Sequence, residues 1–391
     1  MRNWYILAAY STVVAATQML WLSFSPVTTQ VAAILHTTVE SITLLSLIFP
    51  LVYVVLAPFI SVLLDRHFVP AVAAGAVITG VGGLLRLVLP YSFPFQFGVQ
   101  VLISVGQPFI LGSLSIVAVY YFEERERPTA ISIGSLSIFI GIIAATAGGL
   151  YLFYSTGYFS MLMIEAVPGI AGMIALPLFL KGVRPIGLLE TYQGKARFHL
   201  SGLHIKLAVM LFIGMGIFDA LDTWLQPMLA NYGLGGTAGN LIALMTLMGI
   251  FGAAILPKPV SDRRKRRLAI SVIIAFSFLS LLIIGFIDNF PAIALSLALE
   301  GFFLLAGLPI LIEWGEQATP PQFQGRVTSL LMIFGNLGGI VLIALGDVTF
   351  GLGNRVTSLM LVAFVVVLIP VLISIPNNVG FRETEQIPTG E

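Results

Sequence analysis

Twelve apolar runs, each about 20 to 27 residues long, follow one another along the chain with little between them. They cover roughly 4–30, 42–64, 69–89, 97–121, 128–152 and 158–180, then 204–230, 239–257, 268–288, 291–316, 326–350 and 355–376. At a rise of about 1.5 Å per residue, a helix of that length crosses a bilayer core of about 30 Å. The runs show no period-two alternation, which sets aside a closed β-barrel. Only 9% of the 391 residues are charged, where a soluble domain carries about 25%. The chain therefore reads as an all-α integral membrane protein with twelve transmembrane helices. Its first run, from Trp4, is too long for a signal-peptide core and reads as the first span. With no cysteine, neither disulfides nor thiol–metal sites are available.

The connections are short except for 181–203, which holds Lys181, Arg184, Lys195 and Arg197 and divides the chain into bundles of six spans, 1–180 and 204–376. Residues 377–391 have too little apolar content to order themselves and read as a disordered tail. Of 19 Lys and Arg, all but Arg86 and Arg355 fall on one side of the alternating assignment, 19 − 2 = 17. By the positive-inside rule that side, with both termini and the long connection, is cytoplasmic, and the plasma (cytoplasmic) membrane is the expected location. The halves echo each other. LLDRHF after span 2 carries Asp65 and Arg66, VSDRRKRR after span 8 carries Asp262 and Arg263, and 262 − 65 = 197. ERPTAISIG and QGRVTSLLMIFG place Arg127 and Arg326 at 326 − 127 = 199. Duplicated six-helix halves are the arrangement in which transporter sites lie near the midplane.

Within this pattern, MLFIGMGIFDALDTWLQPM (210–228) is the anomaly: Asp219, Asp222 and Gln226 fall within about 60° on one helix face. A carboxylate at mid-bilayer costs at least about 2.5–3.5 kcal/mol, so it faces water, a partner or a substrate. Two carboxylates one turn apart resist being charged together, which suits proton exchange. Gln18, Trp21 and Ser25 share a face of span 1, where Trp21 can offer a cation–π wall. Gln107 in span 4 and Glu300 in span 10 also sit near mid-depth. Arg86 and Glu165, toward the same ends of spans 3 and 6, read as a structural ion pair. Glu313 and Glu316 approach the basic loops near Arg326. Gly141, Gly148, Gly149, Gly335 and Gly339 permit close helix approach, either sliding between halves or plain packing.

The loop residues resemble the signature of the major facilitator superfamily, roughly G-x-x-x-D-R-x-G-R-R. The first copy is degraded, with Ser61 at its opening glycine and His67-Phe68-Val69 at its end, whereas the second keeps Asp262-Arg263 and Arg266-Arg267. The resemblance implies two bundles rocking about a central cavity lined by spans 1, 4, 7 and 10, with Asp65, Arg66, Arg127, Asp262, Arg263 and Arg326 in its conformational loops. It also gathers Gln18, Trp21, Gln107, Asp219, Asp222 and Glu300 into one substrate constellation. ISVGQPFILG (103–112), LSLIF (45–49) and IFG (333–335) are similar to the feline leukaemia virus subgroup C receptor-type transporters of choline, ethanolamine or haem. That likeness implies roles for Trp21 and Gln107 toward a quaternary amine. It departs at Asp219, where a cage tyrosine is expected, and at Met332, where a glutamine is.

Enzymatic readings find no support. His36, His67, His199 and His204 all fall in loops or at span ends, and no catalytic grouping, phosphate loop or metal-ligand spacing is present. The same placement leaves haem iron without a ligand in the cavity. The basic run at 263–267 is short and juxtamembrane, so nucleic acid is not an expected partner. The expected protein is a monomeric secondary transporter of a small cationic or zwitterionic solute, with no cofactor, coupled to protons through Asp219 and Asp222. Its rivals are a proton-driven exporter of diverse amphiphiles and a non-transporting receptor or sensor on the same fold.

Overall fold

A computed structural model describes residues 2–123, 125–181, 200–262, 265–319 and 324–375. Among these residues twelve helical spans cross the molecule: span 1 (Asn3–Ile34), span 2 (Val39–Leu64), span 3 (Phe68–Leu85), span 4 (Phe93–Leu111), span 5 (Thr129–Thr156) and span 6 (Tyr158–Leu180). The second half holds span 7 (Gly202–Ala230), span 8 (Gly235–Ile255), span 9 (Arg266–Phe286), span 10 (Phe290–Gln317), span 11 (Val327–Phe350) and span 12 (Asn354–Ile373). No strand occurs among the described residues. The tail and nearly all of the 181–203 connection lie outside them, as do Arg263 and the side chains of Asp65, Asp262 and Arg326. Span ends use ordinary capping chemistry. The Thr38 hydroxyl accepts from the Ser41 amide at 3.2 Å and Asn289 Oδ1 from the Ala292 amide at 3.0 Å.

Proline and glycine shape the irregular spans. Span 1 is helical to Leu22, turns through a short 3₁₀ segment at Ser25–Val27, and resumes at Thr28; Pro26 has no amide proton to continue the ladder. The expected fourth span, 97–121, is two helices instead, ending at Leu111 and restarting at Leu114. The Ile110 carbonyl freed there accepts from the Tyr10 and Ser113 hydroxyls. Span 5 contains a π-helical turn at Ala144–Gly148. Gly157 and Gly353, both at positive φ (89° and 105°), make the tight turns into spans 6 and 12. Their separation, 353 − 157 = 196, repeats the half-chain offset.

Packing carries the duplication further. Span 1 packs on spans 5 and 6, span 2 on span 4, and span 3 on spans 4 and 6. The second bundle repeats this with span 7 on 11 and 12, span 8 on 10, and span 9 on 10 and 12. Gly141 lies against the Ala15 carbonyl and Gly338 against the Phe212 carbonyl. Both members of these pairs are related by 197, from 338 − 141 and 212 − 15. Gly141, Gly335 and Gly339 thus press helices together inside a bundle (5 on 1, 11 on 7) and do not slide between halves. The bundles meet through spans 2 and 11, spans 5 and 8, and the far ends of spans 1 and 7.

Spans 8 and 10 approach most closely where Gly301 lies on the Met245 carbonyl and Gly252 on the Phe302 carbonyl. A methyl group has no room against backbone, so helix separation must follow. Gly301→Ala is expected to destabilise the second bundle by about 1–3 kcal/mol, read as a lower midpoint of thermal unfolding in detergent.

Candidate functional site

Where the bundles face each other they enclose a cavity of about 720 Å³. It runs from Gln18, Trp21, Gln107 and Asp219 at mid-depth to the helix ends on the side of the chain termini, at Ser61, Leu64, Gly112, Ile131, Ile312 and Thr328. The opposite end is closed. There the Thr29 amide donates to Gln226 Oε1 (3.1 Å), Gln226 Nε2 donates to Thr29 Oγ1 (2.9 Å) and Gln30 Oε1 (3.2 Å), and Gln30 Nε2 donates to the Tyr154 hydroxyl (2.9 Å). The Ser25 hydroxyl donates to the Asp222 carbonyl. Ser25 with Asp222 and Thr29 with Gln226 are again 197 residues apart, so the closure sits where the two halves meet equivalent to equivalent. Gly239 of span 8 presses on the Thr146 carbonyl in the π turn and on Pro26, sealing the same end.

Asp219 carries the one acidic or basic side chain among the described residues lining the cavity. No described donor bonds its carboxylate, and Gly339 leaves the space that one of its oxygens fills. A carboxyl held without an internal partner at mid-depth is available to water or a ligand. Around the same space stand Trp21, Phe49, Tyr53, Phe139 and Phe218. Trp21 stacks on Phe49 with ring centroids 4.8 Å apart and planes 6° from parallel, and its Nε1 donates to the Ser46 carbonyl at 2.9 Å. Gln107 lines the cavity with a buried Oε1 that has no hydrogen-bond partner among the described residues, and Gln18 adds a second amide whose Nε2 donates to Thr17. One carboxyl group, several aromatic faces and two amides are a set that can hold an organic cation: charge opposite charge, quadrupole against the alkyl or ammonium surface.

The remaining expected residues fall elsewhere. Asp222 is fully buried beside the far closure, both carboxyl oxygens without a hydrogen-bond partner among the described residues, and it does not line the cavity. Glu300 is also set back: its Oε1 accepts from Ser277 Oγ at 2.8 Å, and Ser277 is the group that reaches the cavity. Arg86 and Glu165 are both buried but form no ion pair within 4 Å, so the expected direct pair is corrected. Arg86 donates to Ser23 Oγ and the Leu20 carbonyl, each at 2.7 Å, and to Gln100 Oε1. Ser23 also faces the Glu165 carboxyl, which lies under Gly149. On the terminus side, Arg266 pairs with Glu313 (3.6 Å), Thr328 donates to Glu316 (2.5 Å), and Arg127 Nε donates to the Phe122 carbonyl (3.3 Å). Arg66 is exposed at the end of its helix. His204 caps span 7 with Ser201 and reaches Thr319 at 2.8 Å, structural work at a helix end.

Tyr53, Ser135 and Asn336 line the cavity and were not among the expected residues. Their signal was present as isolated polar groups in apolar spans 2, 5 and 11. A lone Tyr, Ser or Asn does not mark which face of its span meets the cavity, and spans 2, 5, 9 and 11 contribute as much wall as spans 1, 4, 7 and 10.

The family model described as Major Facilitator Superfamily matches residues 7–343. Solute carrier family 49 member A3 of Xenopus tropicalis is 24% identical over 367 residues, 87% of this chain and 76% of that protein. Choline/ethanolamine transporter FLVCR2 of Homo sapiens is 22% identical over 394 residues, 93% of this chain and 75% of that one. Among solved structures, a bacterial homologue of the human lysosomal transporter Spinster, in an inward-facing and occupied conformation, superposes with a TM-score of 0.73 at 15% sequence identity, covering 94% of this chain and 95% of that one. That likeness speaks for the fold.

Proposed function

The chain belongs to the Major Facilitator Superfamily, and from that premise we propose that it moves a small organic cation or zwitterion by alternating access. As a multi-pass membrane transporter it takes a small-molecule substrate. The observation that carries the finer reading is Asp219, which among the described residues has no hydrogen-bond donor on its carboxyl and is the one acidic or basic group in an aromatic-walled cavity. A cation brought beside it gains a charge-assisted contact, worth about 1.5–3 kcal/mol for hydrogen bonds to charged groups. Trp21, Phe49, Tyr53, Phe139 and Phe218 supply faces for the rest of the molecule. Relatives named as choline/ethanolamine transporters fit such a substrate class.

With the basic loops on the cytoplasmic side of the plasma membrane, the cavity opens to the cytoplasm and the Ser25, Thr29, Asp222 and Gln226 contacts close the outer face. Asp222, buried near that closure and three residues from Asp219, is the group we assign to proton exchange. It gives up its proton only when the outer contacts part and water reaches it. The loop residues Asp65, Arg66, Arg127, Asp262, Arg263 and Arg326 act in the inner closure.

Flux measured in proteoliposomes tests this. Radiolabelled choline and ethanolamine should enter against a gradient when a pH difference is imposed, and unlabelled cations should compete where sugars and organic anions do not. Anion-selective flux would overturn the substrate class. The mostly apolar wall favours one second reading, a proton-driven exporter of amphiphiles, which would move a lipophilic dye well and choline poorly. Binding without flux of any probe would leave a sensor.

A further inference from the structure

Trp21 stands at the last regular turn of span 1, immediately before the ladder fails at Pro26. An aromatic wall built on such a helix end needs an external splint, since carbonyls there lack their amide partners. Arg86 of the span 3–4 connection supplies it. Its guanidinium is buried, with 1% exposure, and is absent from the cavity lining. It donates to the Leu20 carbonyl and the Ser23 hydroxyl, the residues on either side of Trp21 and Leu22, and its Cζ lies 4.8 Å from the centre of the Phe24 ring. The same group donates to Gln100 Oε1, and Gln100 Nε2 donates to the Leu45 carbonyl at 3.0 Å. Leu45 precedes Ser46, the acceptor of the Trp21 indole, by one residue and Phe49 by four. The Arg86 backbone is itself held, because its carbonyl accepts from Gln96 Nε2 at 2.9 Å.

We propose that Arg86 is a positioning residue for the binding cavity: it locks span 1 and span 2 in the register that stacks Trp21 on Phe49, and so sets which cationic head groups the wall accepts. The inference rests on the cavity being the binding site, but the positioning itself does not. A planar guanidinium reaches three acceptors in different directions at once, which a lysine ammonium at the end of a flexible chain does not reproduce in the same geometry. The Glu165 carboxyl nearby offsets the buried charge without touching the guanidinium, leaving all of the donors just named for span 1 and Gln100. The position is that of a truss, one shell behind the aromatic wall.

Fluorine NMR on full-length protein carrying 5-fluorotryptophan tests this. The chain has four tryptophans, and Trp21→Phe assigns the resonance of interest. Arg86→Gln and Arg86→Lys should each move the Trp21 line while leaving those of Trp224 and Trp314 in place, with Arg86→Lys the smaller change. In parallel, the relative potency of tetramethylammonium and methylammonium as competitors for choline should change by about fivefold or more, the scale of one cation–π contact. An unmoved Trp21 line in folded Arg86→Gln overturns the proposal, and so does an equal disturbance of all four lines, which marks a merely structural residue. Should Arg86→Gln fail to fold, Gln100→Leu decides: it cuts the link to span 2 and must still shift Trp21. If no ammonium probe binds the wild type, the substrate reading fails while the fluorine result stands or falls independently.

Discussion

Asp219→Asn abolishes concentrative uptake and weakens binding of a cationic probe by about ten- to a hundredfold, the equivalent of one lost charge-assisted contact. The substitution keeps the shape of the side chain, and no described internal hydrogen bond is broken by it, so the folded yield and melting midpoint stay near those of the wild type. The loss is therefore in recognition. Asp219→Glu is the informative companion, because the added methylene meets span 11, where Gly339 leaves room for aspartate alone; it is expected to keep the charge yet lose most of the affinity. Titration of choline binding in detergent, followed by flux in proteoliposomes, separates binding from coupling. Asp222→Asn, away from the cavity, should bind within about threefold of the wild type, a difference under 1 kcal/mol, yet no longer accumulate substrate against a gradient. If the double variant still showed full pH-driven accumulation, neither acid would carry the proton.

A second large effect is expected at the outer closure. Gly239→Val adds a branched side chain where even a single carbon meets the Thr146 carbonyl and lies 2.8 Å from Pro26 Cβ. The overlap is with backbone and a rigid ring, so neither can step aside, and overpacking of this kind costs about 1–3 kcal/mol. That cost falls on the state closed at this end. Opening the end relieves it, so the population shifts toward the opposite-facing conformation by about five- to a hundredfold. Because the chain has no cysteine, spin labels at Ser155→Cys and Gly236→Cys report only on the far ends of spans 5 and 8. The wild type should give a short, narrow distance distribution and Gly239→Val a longer one, with flux reduced more than tenfold, a barrier change of about 1.4 kcal/mol or more. An unchanged distribution in a folded variant would mean that this contact does not gate the cavity.

What could be foreseen, and what could not, divides along the physics of the bilayer. The spans were legible because hydrocarbon demands an unbroken apolar helix of fixed minimum length, a constraint written locally in every run. Breaks inside spans were less so: Pro26 and Gly112 mark two of them, but at the second the Ile110 carbonyl is met by the Ser113 and Tyr10 hydroxyls, and Tyr10 is a partner that only folding brings near. The stripe of Asp219, Asp222 and Gln226 was visible as a stripe, yet its members do different work. Asp219 enters the cavity, Asp222 is buried at the closure, and Gln226 bonds span 1. A turn of helix separates these environments, and sequence periodicity cannot tell which side of a neighbouring bundle each will meet. Arg86 and Glu165 show the same limit, since opposite charges at equal depth invited a direct pair while Ser23 and Gln100 reached the guanidinium first.

By itself, then, the amino-acid order determined that the chain crosses a membrane twelve times, that its halves are copies offset by about 197 residues, and that acid groups lie at mid-depth in span 7. Those properties follow from the transfer cost of each residue and from repetition along the chain, which need no knowledge of contacts. Only the tertiary structure decided that Asp219 alone among the described acids lines the cavity, that spans 2, 5, 9 and 11 share its wall, and that Gly239, Thr29 and Gln226 close its far end. Each of those depends on the rotation and tilt of one helix against another, and that is set by close packing of residues far apart in the chain.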